Sequence, residues 1–192
     1  MFILASQSPR RRQLLSMLGL HFEVITADID ETMDDSLPLQ EAVAEISRKK
    51  AEAVGKHHPG KVIVSADTIV TVADKVLGKP HSEEEARQML RSLSGRSHTV
   101  MTAFCLYRDG SCETHVEQTE VIFKPLSDEE IEGYIATGSP MDKAGAYGIQ
   151  DGAAVFVQAL KGDYYNVMGL PLCALVQCLR RWGIPVLGTV KP

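Results

Sequence analysis

FILASQSPRRRQLLSMLG, residues 2–19, opens the chain as a strand, a tight serine loop and a helix. Residues 2–5 are uniformly apolar and predict a short buried strand. From Pro9 the spacing turns helical, with Leu14, Leu15, Met17 and Leu18 expected on one apolar stripe. Ser8 suits the N-cap, Pro9 the first helical position, and Gly19 the left-handed residue that ends a helix. A strand that feeds straight into a helix points to an α/β protein.

The same stretch carries chemistry. A helix N-terminus offers unpaired N–H groups and partial positive charge, and anions bind there readily. Here the hydroxyls of Ser6 and Ser8 and the guanidinium groups of Arg10, Arg11 and Arg12 add donors within about two turns, a set suited to a triphosphate. The alternative is a solvated first turn with Ser8 as a simple cap. Three cations at that end oppose the helix dipole, which gives the structural alternative little to recommend it.

Outward from this opening, FEVIT at 22–26 alternates like a strand, and an acidic loop follows with Asp28, Asp30, Glu31, Asp34 and Asp35. A helix is expected over 39–55, its seam running Leu39, Val43, Ile46, position 50, Ala53 and Val54. Position 50 is a lysine. KVIVSADTIVTV at 61–72 is the most strand-like run, interrupted by Asp67 and Thr68. Gly78-Lys79-Pro80 reads as a loop. Ser82 with Glu85 and Ser127 with Glu130 have capping-box spacing, predicting helices to Gly95 and to about Ala136. Residues 97–107 and 113–124 predict a hairpin around Asp109-Gly110. Residues 141–150 read as a loop, 153–160 as a strand, and Pro171 to Gly183 as a last helix.

The bulk numbers narrow the class. With 192 residues, 44% hydrophobic and 23% charged, the chain has enough apolar matter for one cored domain over 1–192. A net charge of -5 argues against stable nucleic-acid binding. No apolar run is long enough to span a membrane, and the start lacks the pattern of a secretory signal, so the expected location is the cytoplasm. Cys105, Cys112, Cys173 and Cys178 lack metal-site spacing and are expected to be reduced, buried thiols.

Asp67 stands out because a carboxylate inside an apolar strand run is costly unless paired, protonated or metal-bound. An aspartate that begins a turn at a strand end is the other reading, and the residues leave both open. Lys50 either snorkels from its apolar face or turns inward. Lys79 and Lys143 are either plain loop residues or cations that, with the arginines, serve one cleft. Magnesium needs one or two carboxylates plus substrate phosphates, which makes Glu31 and Asp67 the candidate ligands. For Glu31, one more solvated acid is the competing reading.

Several segments, in this order, resemble the Maf family of nucleoside triphosphate pyrophosphatases: LASQSPRR at 4–11, the helix around Lys50, SADTIV at 65–70, GKP at 78–80, LSGRSHTVMTA at 93–103, DKAGAYGIQ at 142–150 and GDYYNVMGLP at 162–171. DKAGAYGIQ is similar to the branch acting on dTTP and UTP. The resemblance implies an ITPase-like mixed α/β fold, an elongated twisted sheet flanked by helices with two lobes around a central cleft, and a homodimer. It implies hydrolysis of the triphosphate to monophosphate and pyrophosphate with Mg²⁺ or Mn²⁺, in a house-cleaning role that extends to modified pyrimidine nucleotides and is linked to cell-division arrest. Asp67 is then the proton acceptor; Arg11, Thr68 and Gln150 determine substrate choice; Ser8, Arg10, Glu31, Lys50 and Lys79 line the phosphates and metal; Arg12 faces solvent. Asp151 and Ala153 depart from the family pattern, which has glycines there, and this bears on the loop beside Gln150. The rival function is a non-catalytic nucleotide-sensing regulator of septation, which would not need Asp67.

Overall fold

The computed structural model describes residues 2–73 and 75–187. These fall into two compact units, one made of Met1–Asp67, Thr102–Glu117 and Gly169–Pro192, the other of Thr68–Met101 and Gln118–Met168. The architecture is mixed α/β. Seven strands form one sheet in the order β2-β1-β3-β5-β6-β7, with β4 paired to β3. The strands are β1 (Phe2–Leu4), β2 (Phe22–Val24), β3 (Val62–Val72), β4 (Lys75–Leu77), β5 (Ser97–Arg108), β6 (Ser111–Phe123) and β7 (Val157–Lys161). Parallel pairs (β1 with β2 and β3) and antiparallel pairs (β3 with β4, β6 with β7) coexist. The long strands β3, β5 and β6 each supply residues to both units.

In the first unit, α1 (Pro9–Ser16) begins as its sequence dictates, with Ser8 Oγ accepting from the Arg11 N–H and Pro9 at the first position. Its stripe is narrower than expected. Leu14, Leu15 and, past the helix, Leu18 are buried, but Met17 is 52% exposed because the helix unwinds at Ser16 and turns through Gly19 at φ +68°. Helix α2 (Leu39–Gly55) buries Val43, Ile46, Ala51 and Val54, and Ala51 and Val54 pack with Ile3, Ala5, Ile63 and Cys105 into one cluster. Helix α6 (Leu172–Arg181) buries Leu175, Cys178 and Leu179. At the β5–β6 hairpin, Asp109 and Gly110 take φ of 51° and 87°, the left-handed pair that a two-residue turn requires.

The second unit contains α3 (Glu83–Leu93), α4 (Asp128–Ile135), the short α5 (Tyr164–Met168) and 3-10 segments at Ser139–Asp142, Ala144–Ala146 and Gly152–Phe156. The capping box at α4 closes in both directions between Ser127 and Glu130. At α3 it does not: Ser82 Oγ accepts from the Glu85 N–H, but Glu85 Oε2 accepts from His81 N–H at 2.7 Å, one residue earlier than the box requires. Residues 153–160 are not one strand. Gly152–Phe156 is a 3-10 helix, and strand pairing begins only at Val157. Asp151 caps that helix through the Ala153 N–H, and Ala153 and Phe156, three apart, share the buried face that period-3 geometry gives.

The cysteines also differ from expectation in part. All four are free, but only Cys105 and Cys178 are buried, whereas Cys112 and Cys173 are exposed. Burial pushes the Cys105 and Cys178 thiols up to about 12 and about 11, which keeps them protonated and unreactive.

His98 lies in the core of the second unit, 3% exposed, edge-on to Phe123 and Tyr147, with Nε2 2.7 Å from the Tyr147 hydroxyl and Nδ1 buried without a partner. Burial lowers its pKa from 6.5 to about 4. The neutral ring is the folded form, so stability is intact above pH 6.5 and is lost as pH falls from 6.5 towards 4, by about 3 kcal/mol in full. Urea unfolding at a series of pH values is expected to show this acid loss in the parent and a shallower one in His98→Gln. Equal slopes would remove His98 as the cause.

Candidate active site

The first unit gathers most of the expected groups. Ser6 is buried beneath the serine loop, its Oγ accepting from the Ser8 N–H at 3.3 Å and from Arg11 Nη1 at 3.1 Å. Arg11 Nε donates to the carbonyl of Gly169 at 2.8 Å, so this guanidinium is held from two sides. Burial lowers the Arg11 pKa from its ordinary value; the charges of Asp67 and Glu31 act against that shift and Arg10 adds to it. The guanidinium stays charged, and its interactions place Arg10, Glu31 and Asp67 in its electrostatic neighbourhood. Arg12 is exposed, as expected.

Helix α2 turns Lys50 inward rather than letting it snorkel. Its Nζ is 2.8 Å from Glu31 Oε2 and 2.8 Å from Asp67 Oδ1, with side-chain exposures of 13% for Lys50, 58% for Glu31 and 17% for Asp67. Asp67 therefore lies within β3 as a paired carboxylate and does not begin a turn. Glu31 is tied to the same ammonium and is not merely one more acid in its loop. Nearby, Ser65 Oγ donates to the Ser47 carbonyl at 2.5 Å, tying β3 to α2 two residues before Asp67.

Two carboxylate oxygens converging on one cation form a hard-oxygen pair that fits a divalent ion such as Mg²⁺ or Mn²⁺. Among the described residues no group of three or more His, Cys, Asp or Glu could hold a metal. The pair thus suits an ion that takes its remaining oxygens from a bound phosphate chain and water.

Thr68, Lys79, Lys143 and Gln150 belong to the second unit. Thr68 follows Asp67 along β3 and is half-buried. Lys79 is exposed in a loop whose Gly78 carbonyl accepts from the Gly145 N–H at 3.0 Å, so the GKP and DKAGAYGIQ segments are joined. Gly145 holds φ +69°, and a Cβ there would lie 3.0 Å from both Val70 methyl groups. Gln150 is half-buried. Lys143 is no ordinary loop lysine: it is 8% exposed, with Nζ 2.6 Å from Asp142 Oδ1, 2.5 Å from the Ser139 carbonyl and 3.4 Å from Asp151 Oδ2. Tyr134 and Ser139, which complete these contacts, carry no sequence signal, because each is recruited by tertiary packing; Gly169 lies within the GDYYNVMGLP segment, but nothing there marks its carbonyl as the partner of Arg11.

The match to the family model for "Maf-like protein" runs over residues 1–182. This chain belongs to the Maf-like family. Curated relatives of the Maf-like chain include proteins named dTTP/UTP pyrophosphatase from Halalkalibacterium halodurans, 53% identical over 94% of this chain and 95% of the relative, and from Geobacillus sp., 48% identical over 94% and 97%. One from Geotalea uraniireducens is 49% identical over 94% of each chain. Among solved structures, the Ham1 protein of Staphylococcus aureus matches the Maf-like chain with a TM-score of 0.45 at 16% identity, covering 64% of this chain and 71% of that one. Among the described residues no helix is long and apolar enough to cross a membrane.

Proposed function

We propose that the chain hydrolyses dTTP and UTP to the monophosphate and pyrophosphate. The observation that carries this reading is the near full-length identity of 43–53% to relatives named dTTP/UTP pyrophosphatase. The paired carboxylates on Lys50, beside the serine-arginine loop, supply the chemistry such a reaction needs.

Asp67 accepts the proton of a water that attacks the α-phosphorus; the new P–O bond forms as the bond to the bridging oxygen of the departing pyrophosphate breaks. Lys50 holds the Asp67 carboxylate in place and, with Arg10, Arg11, Lys79, the Ser8 hydroxyl and the N–H groups opening α1, neutralises charge on the triphosphate. A divalent cation at Glu31 and Asp67 would supply further neutralisation of the phosphate oxygens. Gln150 offers a donor and an acceptor to the O4 and N3–H edge of uracil or thymine, and Thr68 and Arg11 complete substrate choice.

The remaining parts of the reading rest on the family resemblance: one functional domain, a homodimer, residence in the cytoplasm, and service as a scavenger of modified pyrimidine nucleotides linked to division arrest. Light scattering tests the dimer. For the reaction, purified protein with Mg²⁺ is expected to release pyrophosphate from dTTP and UTP faster than from CTP, GTP or ITP. Tight binding without turnover of any triphosphate would overturn the enzyme in favour of a nucleotide sensor.

A further inference from the structure

The second unit holds a polar cluster around a carboxylate that the reaction itself does not use. Asp151 Oδ1 accepts from the Tyr134 hydroxyl at 3.0 Å and from the Ala153 N–H at 3.1 Å. Its Oδ2 accepts from the Ser139 hydroxyl at 2.7 Å and faces Lys143 Nζ at 3.4 Å. The Tyr134 oxygen accepts in turn from the Gly148 N–H at 3.1 Å. The backbone at 148 and at 153, on either side of Gln150, is thereby fixed through one carboxylate. Gly148 shows how close the packing is: a Cβ there would lie 2.5 Å from Asp151 Oδ2, 2.7 Å from Lys143 Cε and 2.9 Å from Gln150 Nε2. Three side chains converge over a single α-carbon that only glycine leaves open.

We infer that Asp151 is a positioning residue for base selection, orienting the Gln150 amide through the Tyr134–Asp151–Lys143 cluster. This rests on the reading of Gln150 as the group that meets the pyrimidine ring. A side-chain amide that rotates by half a turn exchanges donor for acceptor, and would then serve cytosine as well as uracil. The Gly148 N–H bonds to Tyr134 and the Ala153 N–H bonds to Asp151, so the backbone on both sides of Gln150 is tied into the cluster, and Gln150 Nε2 packs over the same Gly148 α-carbon as Asp151 Oδ2. A turn held in this way keeps the amide from rotating, with Oε1 kept for the N3–H that uracil and thymine carry and cytosine lacks, and Nε2 for O4. The carboxylate therefore acts on selectivity through the amide, without touching the triphosphate.

The test compares kcat and KM for dTTP, UTP and CTP in the parent, Asp151→Ala, Asp151→Asn, Tyr134→Phe and Gln150→Ala, with melting temperatures alongside. Asp151→Ala is expected to raise KM for dTTP and UTP more than it lowers kcat. It should narrow the dTTP-to-CTP ratio of kcat/KM by about tenfold, the scale of one oriented hydrogen bond. Asp151→Asn keeps an acceptor for Tyr134 and Ala153 and should narrow the ratio less. If Asp151→Ala does not fold, Tyr134→Phe, which removes one hydroxyl, bears the decision and should also narrow it. A parental ratio in the Asp151 and Tyr134 variants, with a narrowed ratio in Gln150→Ala, overturns the inference alone. A parental ratio in Gln150→Ala overturns the base-reading role of Gln150 and the inference with it.

Discussion

Asp67→Asn is expected to lower kcat for dTTP by about 10²–10⁴-fold, the usual contribution of a general base. Asparagine keeps the volume and one oxygen, so the contact that Lys50 makes at 2.8 Å can persist as a hydrogen bond from the ammonium to the amide oxygen while the proton acceptor is lost. The loss should therefore appear in kcat, with the dissociation constant of a non-hydrolysable dTTP analogue within a few fold of the parent. Single-turnover and equilibrium-binding measurements at saturating Mg²⁺ separate the two. Activity within about threefold of the parent would remove Asp67 as the base.

Lys50→Met carries the second large effect. Methionine fills the space of the lysine stem but leaves Glu31 and Asp67 facing each other without the ammonium that joins them. Two consequences follow. Unneutralised carboxylates repel an incoming triphosphate and give less help to charge developing in the transition state, which by analogy with loss of one preorganised donor lowers kcat about 10²–10³-fold. The folded state is also weakened: Glu31 is 58% exposed and water reaches its carboxylate, but Asp67, 17% exposed, is left without its cation. The expected outcome is a large fall in kcat/KM, measured well below the melting temperature, together with a lowered melting temperature. A lowered melting temperature with kcat/KM near that of the parent would show that Lys50 is chiefly a structural tie.

How much of this could be read in the residues differs from element to element. Helix α1 was readable because its start is a local matter: Ser8, Pro9 and the turn through Gly19 act within a few residues. Asp67 was readable as an anomaly but not as a partner of Lys50, since nothing in spacing says that a lysine 17 residues earlier turns inward. The two capping boxes look alike in sequence, yet only that of Ser127 closes. The Glu85 carboxylate swings one residue further, to His81, a choice of rotamer rather than of residue type.

Residues 153–156 depart from their strand-like sequence for a non-local reason. Alanine, valine and phenylalanine in a row resemble a strand, and the cap that bends them into a 3-10 turn comes from Asp151, whose other partners lie at 134, 139 and 143. Tertiary contacts overrode local preference there, as they do for strand-like sequences generally. The same contacts make Tyr134 and Ser139 invisible to any reading by motif.

The placement of Asp151 has an evolutionary corollary. The residue proposed as general base sits within a paired strand, whereas the amide proposed for base choice sits just before a short 3-10 turn capped by Asp151, whose carboxylate is held by the Tyr134 and Ser139 hydroxyls. Substitutions at 134, 139 or 151 can then retune which nucleotide is accepted while the hydrolytic step stays as it was. Substrate range can drift by small inherited changes in that turn, without passing through an inactive ancestor.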